Sequence, residues 1–445
     1  MQSLVRVIGR YCLSFICFYW ICFAFPFPFD LLQLPFGFVE PENQPTWMRT
    51  VGERLGEANF WVYNRENDLC QWAAAHVLHV DIVIQPTGSG DTMLSYVRCF
   101  CILVIAAAAA LLWLPARWGL SQWKPKWRPD AWLMSMVRVL VRFYLLRMFL
   151  GYGFAKVFPL QFPQPGSYRL AEQLGDMSPM GLLWTFMGFS PAHQMYTGAV
   201  EVLAGLLLTT RRTTLLGSLI GFAAMLHVFI LNMCFDVPVK LFSFHYLVMT
   251  CFLAAPDLPR LFNVLVLGRA VSASPLAPLG GSKLFDRFAI VFRTLIVALM
   301  FGSQIQGSYV RWQETHGSLP LPTGSHWDVV RMQIDDKELS KGDPQTWAWL
   351  EFTNKSMMRL AGPTPAPLPY RTTWNPDSKE LTLAKFGGPA FSATFTYDLP
   401  EPDKLELRGT MDGKAIIATL HRTPEKQYQL MNRGFHWVQE LPYNR

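Results

Sequence analysis

The fold of this chain is decided by RVLVRFYLLRMFLGYGFAKV (residues 138–157) and by three further apolar segments that end before residue 260. Each of the four segments carries ionisable or strongly polar residues among its apolar ones. Charged side chains are costly inside hydrocarbon, so those that occur there mark a candidate site by default. The sequence therefore predicts a bundle of four membrane helices with a polar core over residues 132–258.

The composition fits a chain that is part membrane protein and part soluble protein. Of its 445 residues, 51% are hydrophobic and only 16% are charged, which is too apolar for an ordinary soluble protein. The net charge of +7 belongs to residues 1–306, because residues 307–445 hold sixteen basic and sixteen acidic residues. No basic patch is concentrated in a soluble domain, so the sequence predicts no nucleic-acid partner.

Apolar runs predict about seven membrane helices. Residues 1–131 hold two of them, with an outer loop at 26–91. The polar-cored bundle follows at 132–258, a cytoplasmic loop at 259–284 and the seventh helix at 285–306. The predicted helices cover residues 8–25, 92–114, 132–157, 191–209, 213–235, 240–255 and 285–306.

The distribution of Lys and Arg predicts the orientation in the membrane. Basic residues concentrate at the N-terminus and at 115–130, 210–212 and 256–287, which an odd helix count places on one side. By the positive-inside rule that side is the cytoplasm. We therefore expect a cytoplasmic N-terminus in the inner membrane and a periplasmic or extracellular domain at 307–445.

Residues 320–445 have the pattern of a small antiparallel β domain, either a barrel or a sandwich. Eight alternating segments are separated by turn residues, and Asp412-Gly413 is a favoured hairpin dipeptide. The predicted strands start at 326, 347, 370, 379, 391, 403, 414 and 428. Outside this domain we expect a short amphipathic helix within 47–63 and a strand at 81–84.

The bundle contains ionisable residues at two depths. Arg147 on the first bundle helix and Glu201 on the second are expected near mid-membrane, where they would pair. This pair could be structural or functional, and with His227 it could stabilise or protonate a bound molecule. Arg138 and Arg142 lie nearer the helix end, where we expect them to extend to the cytoplasmic surface.

A second polar group is predicted nearer the outer surface, around the Pro-broken segment LNMCFDVPVKLFSFH (residues 231–245). It forms either an interfacial cap, in which Asp236 pairs with Lys240, or a pocket open to the outside. Just before the second helix, Asp91 is expected to cap that helix. The candidate ligand-binding residues are Lys156, Gln161, Asn232, Asp236, Lys240 and His245.

Cysteine and histidine spacing predicts neither a metal site nor a redox dithiol. Seven of the eight cysteines lie in apolar segments, and there is no CxxC motif.

The bundle resembles the DoxX/DoxD-type membrane family over residues 135–257. Two motifs carry the resemblance, namely Gly153 to Lys156 at the end of one helix, and Gly198, Glu201 and Gly205 followed by a basic turn in the next. The resemblance implies a four-helix bundle. The named members of that family include a quinone-reducing subunit and partners of thiol-redox systems. The chain lacks the paired cysteines of a thiol relay. It is more loosely similar to the membrane regions of vitamin-K-dependent carboxylases and lipase maturation factors.

Two functions are consistent with these observations. In the first, the bundle binds a small amphipathic ligand of quinone or lipid type, with a role in a redox system. In the second, the protein is a non-enzymatic assembly or maturation factor, anchored in the lipid bilayer, whose domain at 307–445 holds a periplasmic protein partner.

Overall fold

The computed structural model describes residues 2–39, 43–84, 88–123, 128–272, 283–317, 321, 326–340, 343–362, 367–385, 393–423 and 428–440. The chain divides into two compact units. The first, which we call the helical unit, comprises Met1–Val157 and Met195–Ser308. The second, which we call the barrel unit, comprises Phe158–Gln194 and Tyr309–Arg445.

The helical unit is built from long α-helices that pack around apolar side chains. Its core contains Leu145, Phe149, Ala204, Met249 and Leu253, all at most 2% exposed. A 3-10 segment at Phe29–Phe38 follows the first helix. The helices are α1 (Gln2–Ala24), α2 (Thr46–Ala73), α3 (Met93–Trp123), α4 (Pro129–Val157), α7 (Pro191–Leu208, from 195 on), α8 (Thr214–Cys234), α9 (Lys240–Ala254), α10 (Leu258–Leu265) and α11 (Lys283–His316, up to 308).

Among the described residues, five helical segments are long and apolar enough to cross a membrane. They are Leu4–Phe38, Met93–Trp123, Thr214–Cys234, Lys240–Leu265 and Arg287–His316. The expected bundle helices at 132–157 and 191–209 are present as α4 and α7 but are not among these five. Both carry the ionisable residues that suggested a site, and those residues lower their apolar character.

The barrel unit contains an eight-stranded antiparallel β-barrel. Strands β1 and β3 to β9 pair in sequence order, and pairing of β1 with β9 closes the barrel, while the two-residue strand β2 adds to β1. The strands are β1 (His326–Ile334), β2 (Lys337–Glu338), β3 (Trp349–Asn354), β4 (Met357–Ala361), β5 (Leu368–Asn375), β6 (Glu380–Lys385), β7 (Ala393–Glu401), β8 (Lys404–Met411) and β9 (Lys414–Arg422).

Alternating side chains fill the barrel, as the sequence pattern predicts. In β9, Ile416, Ala418 and Leu420 are buried, whereas the residues between them are more exposed. The hairpin at Asp412-Gly413 has positive φ at both residues, 51° and 80°, as a two-residue primed turn requires. The prediction of a small barrel is therefore confirmed.

Three details of the predicted strands were wrong. Residues 81–84 form no strand, and the segment at 428–438 forms the short helix α12 (Gln429–Asn432) followed by irregular chain. Strand β4 was missed, because the turn that joins it to β3 is Lys355-Ser356 and lacks the glycine that usually marks a two-residue hairpin.

The barrel unit also takes in residues 158–194, which the sequence pattern assigned to the bundle. This segment holds α5 (Ser167–Ala171) and α6 (Pro179–Phe189). The buried carboxylate of Glu351 in β3 accepts a hydrogen bond from the backbone N–H of Tyr168, at 2.9 Å. Gln194 is fully buried and bonds both the N–H and the carbonyl of Phe162, at 3.0 Å each. The first contact joins the segment 158–194 to the barrel. The second links the two ends of the segment to each other.

Several helices exceed the predicted bounds. The short helix expected within 47–63 is the 28-residue α2, the loop expected at 259–284 includes α10, and α11 continues past 306 to His316. Polar residues occupy the extensions of α2 and α11, so apolar runs alone did not reveal them, whereas α10 is mostly apolar and lies within the candidate span Lys240–Leu265. In the predicted basic segments 115–130 and 256–287, residues 124–127 and 273–282 lie outside the described part of the chain.

Candidate functional site

Helices α4 and α7 cross in direct backbone contact. A Cβ atom on Gly198 would lie 2.5 Å from the carbonyl oxygen of Gly153, and one on Gly153 would lie 2.7 Å from a Val202 side-chain carbon. Glycine is therefore required at both positions for the close approach. Gly153 and Gly198 thus face each other across the helix crossing.

The same crossing carries a buried ion pair. Lys156 donates hydrogen bonds to both carboxylate oxygens of Glu201, at 2.8 and 2.7 Å. The side chains are only 8% and 3% exposed. The Lys156 ammonium also lies 5.9 Å from the centre of the Tyr152 ring. Lys156, which was predicted near the outer surface, and Glu201, which was predicted near mid-membrane, are therefore direct partners.

The predicted pairing of Arg147 with Glu201 was wrong. Arg147 contacts the carboxylate of Asp30, in the 3-10 segment that follows α1. Nine residues separate Arg147 from Lys156, which puts them on opposite sides of α4 at 100° per residue. Because α7 packs on the Lys156 side, Glu201 is out of reach of Arg147.

Arg147 and Asp30 line a chamber of about 260 Å³ in the helical unit. Its walls come from the end of α1 and from α3, α4 and α9. Among the residues that line it, Phe23, Phe25, Phe27, Tyr144 and Phe242 are aromatic, and Asp30, Ser95, Arg98 and Arg147 are polar. The second carboxylate oxygen of Asp30 is buried and has no hydrogen-bond partner among the described residues. The chamber is thus an aromatic cavity with a partly unsatisfied ion pair in its wall.

His245, one of the predicted ligand-binding residues, lies directly behind this wall. Its Nδ1 lies 2.7 Å from the carbonyl oxygen of Leu241, so that nitrogen carries the hydrogen. Its Nε2 then accepts from the hydroxyl of Tyr19, at 2.5 Å. The imidazole stacks on Phe23 at 4.3 Å, and both Phe23 and Leu241 line the chamber. The contacts of His245 orient the imidazole and place a hydrogen on Nδ1.

The residues around Pro238 form a capped connection between α8 and α9. Lys240 pairs with the exposed Asp236 at 2.8 Å, as one of the two sequence alternatives predicted. Asn232 donates to the hydroxyl of Ser243 at 3.0 Å. Asp91 was expected to cap α3, but its carboxylate accepts from the backbone N–H groups of Lys240 and Leu241, both at 2.9 Å. It therefore caps α9, which begins 149 residues later in the chain.

Two predicted site residues stand apart from these clusters. His227 is exposed on α8 and has no hydrogen-bond partner in the described part of the chain. Gln161 belongs to the barrel unit, where its buried side-chain oxygen has no partner among the residues that the structure describes. The structure does not assemble Arg147, Glu201 and His227 into one relay.

Arg142 does not extend to a membrane surface as expected. It is 6% exposed and donates hydrogen bonds to the carbonyls of Leu208 and Thr209 at the C-terminal end of α7, at 2.9 to 3.0 Å. A cation at this end satisfies the last carbonyls of the helix and its dipole. Arg138 donates to the carbonyl of Leu253 at 3.1 Å.

The barrel unit has a separate cleft of about 950 Å³. Its lining includes the proline-rich chain around Pro159 and Pro163, the end of α11 at Trp312 and His316, and strand residues near Thr353. The buried hydroxyl of Thr353 has no hydrogen-bond partner among the described residues. In the ranges that the structure covers, no group of three or more His, Cys, Asp or Glu residues could hold a metal ion.

Sequence reasoning missed Asp30 and Tyr19, the two α1-side residues of this site. Tyr19 lies within an apolar run, and Asp30 follows the helix-breaking segment FPFPF. The sequence offered one signal for this site, which was the single acidic residue Asp30 next to a predicted membrane helix.

One relative is similar over part of the chain. The uncharacterized protein YwoB of Bacillus subtilis (strain 168) is 30% identical over 123 residues, which cover 28% of this chain and 78% of YwoB. No family model matches the chain, and no solved structure matches it.

Proposed function

This chain belongs to the same family as the Bacillus subtilis protein YwoB, and on that premise we propose that it is a membrane protein that binds a small amphipathic ligand of quinone or lipid type in the chamber of its helical unit. In a redox system such a chain would serve as the ligand-binding subunit.

The unsatisfied carboxylate oxygen of Asp30 is the observation that carries the proposal. A buried acceptor without a partner costs about 1–3 kcal/mol, and more when it is charged. The oxygen belongs to a residue that lines a cavity, next to the guanidinium of Arg147. A ligand that donates a hydrogen bond at this point would recover that cost.

The chemistry of the chamber selects the class of ligand. Asp30 offers an acceptor and Arg147 offers donors, so a hydroxyl is matched on both sides, whereas a carbonyl is matched by Arg147 alone. The aromatic side chains of Phe23, Phe27 and Phe242 offer faces for a flat apolar ring or a hydrocarbon tail. A quinol hydroxyl or a hydroxyl-bearing lipid head group meets both requirements, and a quinone carbonyl meets that of Arg147.

The resemblance to the DoxX/DoxD family remains part of the proposal. In that family pattern, the crossing at Gly153 and Gly198 with the Lys156–Glu201 pair would be the structural centre of the bundle. Glu201 and Lys156 would then hold α4 in place, rather than protonate the ligand. The proposed location is the cytoplasmic membrane, with the N-terminus in the cytoplasm and the barrel unit outside.

Mass spectrometry of an organic extract tests the proposal. Protein purified in mild detergent is extracted with solvent, and the extract is compared with that of an unrelated membrane protein from the same cells. We expect a quinone or a single lipid class to be retained near one molecule per chain. Bulk lipid in the same proportions as the control would contradict the proposal.

A second candidate is an assembly or maturation factor, and the cleft in the barrel unit favours it. The cleft combines proline and aromatic residues with the unsatisfied hydroxyl of Thr353, which suits a peptide segment with backbone polar groups. A photo-crosslinking residue in place of Met357, which lines the cleft, would capture one defined client in living cells. Absence of any protein adduct at this position would exclude this function.

A further inference from the structure

Helix α2 carries a row of exposed tryptophans that neither the chamber nor the cleft uses. Trp47, Trp61 and Trp72 are 55% to 67% exposed. At 100° per residue, they lie within about 40° of one line along the helix. The same line includes the exposed Val51 and Leu69 and the basic Arg54 and Arg65. We call these seven residues the tryptophan stripe.

The stripe is the outward side of the helix. The buried residues Asn67 and Cys70 lie on the opposite side, and Glu66, on the flank between, pairs with Arg98 of α3 at 2.6 Å. Helix α2 is therefore attached to the helical unit by one face and presents the stripe on the other. An exposed apolar row of this length is typical of a surface that meets a partner.

The position of α2 in the chain identifies the partner as lipid. The helix lies between the candidate spans Leu4–Phe38 and Met93–Trp123, and it begins eight residues after the first of them. Eight residues reach about 28 Å at most when fully extended, so the start of α2 stays close to a membrane surface. Tryptophan and arginine are the residues that favour the head-group region, where an apolar ring and a polar tip are both satisfied.

An apolar groove continues from the stripe onto the membrane helices. It has a volume of about 340 Å³, and Trp61 and Leu69 line it together with Phe25, Ile102 and Ile105. Arg65, Glu66 and Arg98 also line it. Its hydrocarbon side chains match the acyl chain of a phospholipid, while Arg65 and Arg98 are paired with Asp68 and Glu66.

We propose that α2 lies in the membrane interface with the tryptophan stripe against phospholipid, and that the groove between α1, α2 and α3 takes one acyl chain. Arg54 pairs with Glu57 at 2.9 Å and Arg65 with Asp68 at 3.0 Å, so the stripe has little net charge. Binding therefore rests on aromatic and apolar contact and does not need anionic lipid.

Site-specific photo-crosslinking of the full chain tests this inference. p-Benzoylphenylalanine is placed at Trp61 or Trp72 in the stripe, or at Glu53, which is exposed on another face of α2 and serves as the control. Each protein is reconstituted in phosphatidylcholine vesicles, irradiated and weighed as intact protein. An aromatic residue replaces an aromatic one in both stripe variants, and size-exclusion chromatography checks that they are folded.

We expect phospholipid adducts at Trp61 and Trp72 that exceed the adduct at Glu53 several-fold, with no change in 0.5 M salt. Equal adducts at all three positions would overturn the inference. Adducts of Trp61 with a second copy of the chain or with another protein in place of lipid would also overturn it. The chamber ligand is measured separately, so failure here leaves the proposed function to its own test.

Discussion

Lys156 on α4 and Glu201 on α7 form an ion pair in which the ammonium nitrogen lies 2.8 and 2.7 Å from the two carboxylate oxygens. The pair is buried at the point where Gly153 and Gly198 bring the two helix backbones together. Its charges are satisfied by each other, and this favours a structural role over proton transfer. That role leads to two predictions about stability.

Glu201→Gln should destabilise the helical unit, because it leaves the buried ammonium of Lys156 without a counter-charge. Breaking a buried pair on one side costs about 3–5 kcal/mol. Replacement of both residues by apolar ones, Lys156→Met with Glu201→Leu, should restore much of the stability. Thermal unfolding in detergent measures both variants, and a single variant as stable as the wild type would contradict the structural role.

Gly198→Ala should force α4 and α7 apart, since the added methyl group would lie 2.5 Å from the carbonyl oxygen of Gly153. Overpacking of this kind costs about 1–3 kcal/mol. Gly119→Ala on α3 is the matched control, because nothing lies within 4 Å of that position. Alanine is favoured over glycine in a helix by about 1 kcal/mol, so the control should be neutral or stabilising. Equal unfolding temperatures for the two variants would argue against the close crossing.

Asp91→Ala should fray the first turn of α9. The carboxylate accepts hydrogen bonds from the N–H groups of Lys240 and Leu241, and loss of such a cap costs about 0.5–2 kcal/mol. Asp236→Asn is the control, because this carboxylate also pairs with Lys240, its side chain is 83% exposed, and asparagine tolerates the positive φ of 50° at this position. Hydrogen exchange at residues 240–243 should quicken in the first variant alone. The same increase in both variants would show that the cap adds nothing beyond a surface pair.

Glu351→Gln should remove one component of the pH dependence of the barrel unit. Burial raises the pKa of the Glu351 carboxyl, and this outweighs the Tyr168 N–H and the charges of Arg359 and His326. A raised pKa means that the stabilising contribution is present below the unfolded value of about 4.3 and is lost as pH rises through the folded pKa. The glutamine side chain keeps an acceptor for Tyr168 and does not titrate.

The free energy of unfolding of the variant, relative to that of the wild type, should therefore increase as pH rises from 4 to 7. Thermal unfolding of the full chain in detergent across that range gives the difference directly. If this relative free energy of unfolding decreased instead, the native environment would favour the charged carboxylate.

Local patterns predicted the regular elements well, and contacts between distant segments limited the rest. Strands β1 and β9 have the bounds that alternation and the Asp412-Gly413 turn indicated. Arg147 was recognisable as a residue that needs a partner, but that partner, Asp30, lies 117 residues earlier in the 3-10 segment Phe29–Phe38. Asp91 resembled a cap for the next helix, and only the fold shows that it caps α9. Helical phase shows that Arg147 and Lys156 lie on opposite sides of α4, so only one of them can pair with Glu201, but only the fold shows that α7 packs on the Lys156 side.

The central claim, that the chamber binds a ligand through Asp30 and Arg147, is tested most directly by ligand occupancy in purified variants. Asp30→Asn and Arg147→Gln are compared with Arg117→Gln, which removes the arginine of a similar pair with Asp130 that does not line the chamber. Native mass spectrometry of the full chain measures the bound fraction. We predict that wild type and Arg117→Gln retain the same small molecule and that both chamber variants lose most of it. Equal occupancy in all four proteins, or no bound small molecule in the wild type, would contradict the claim.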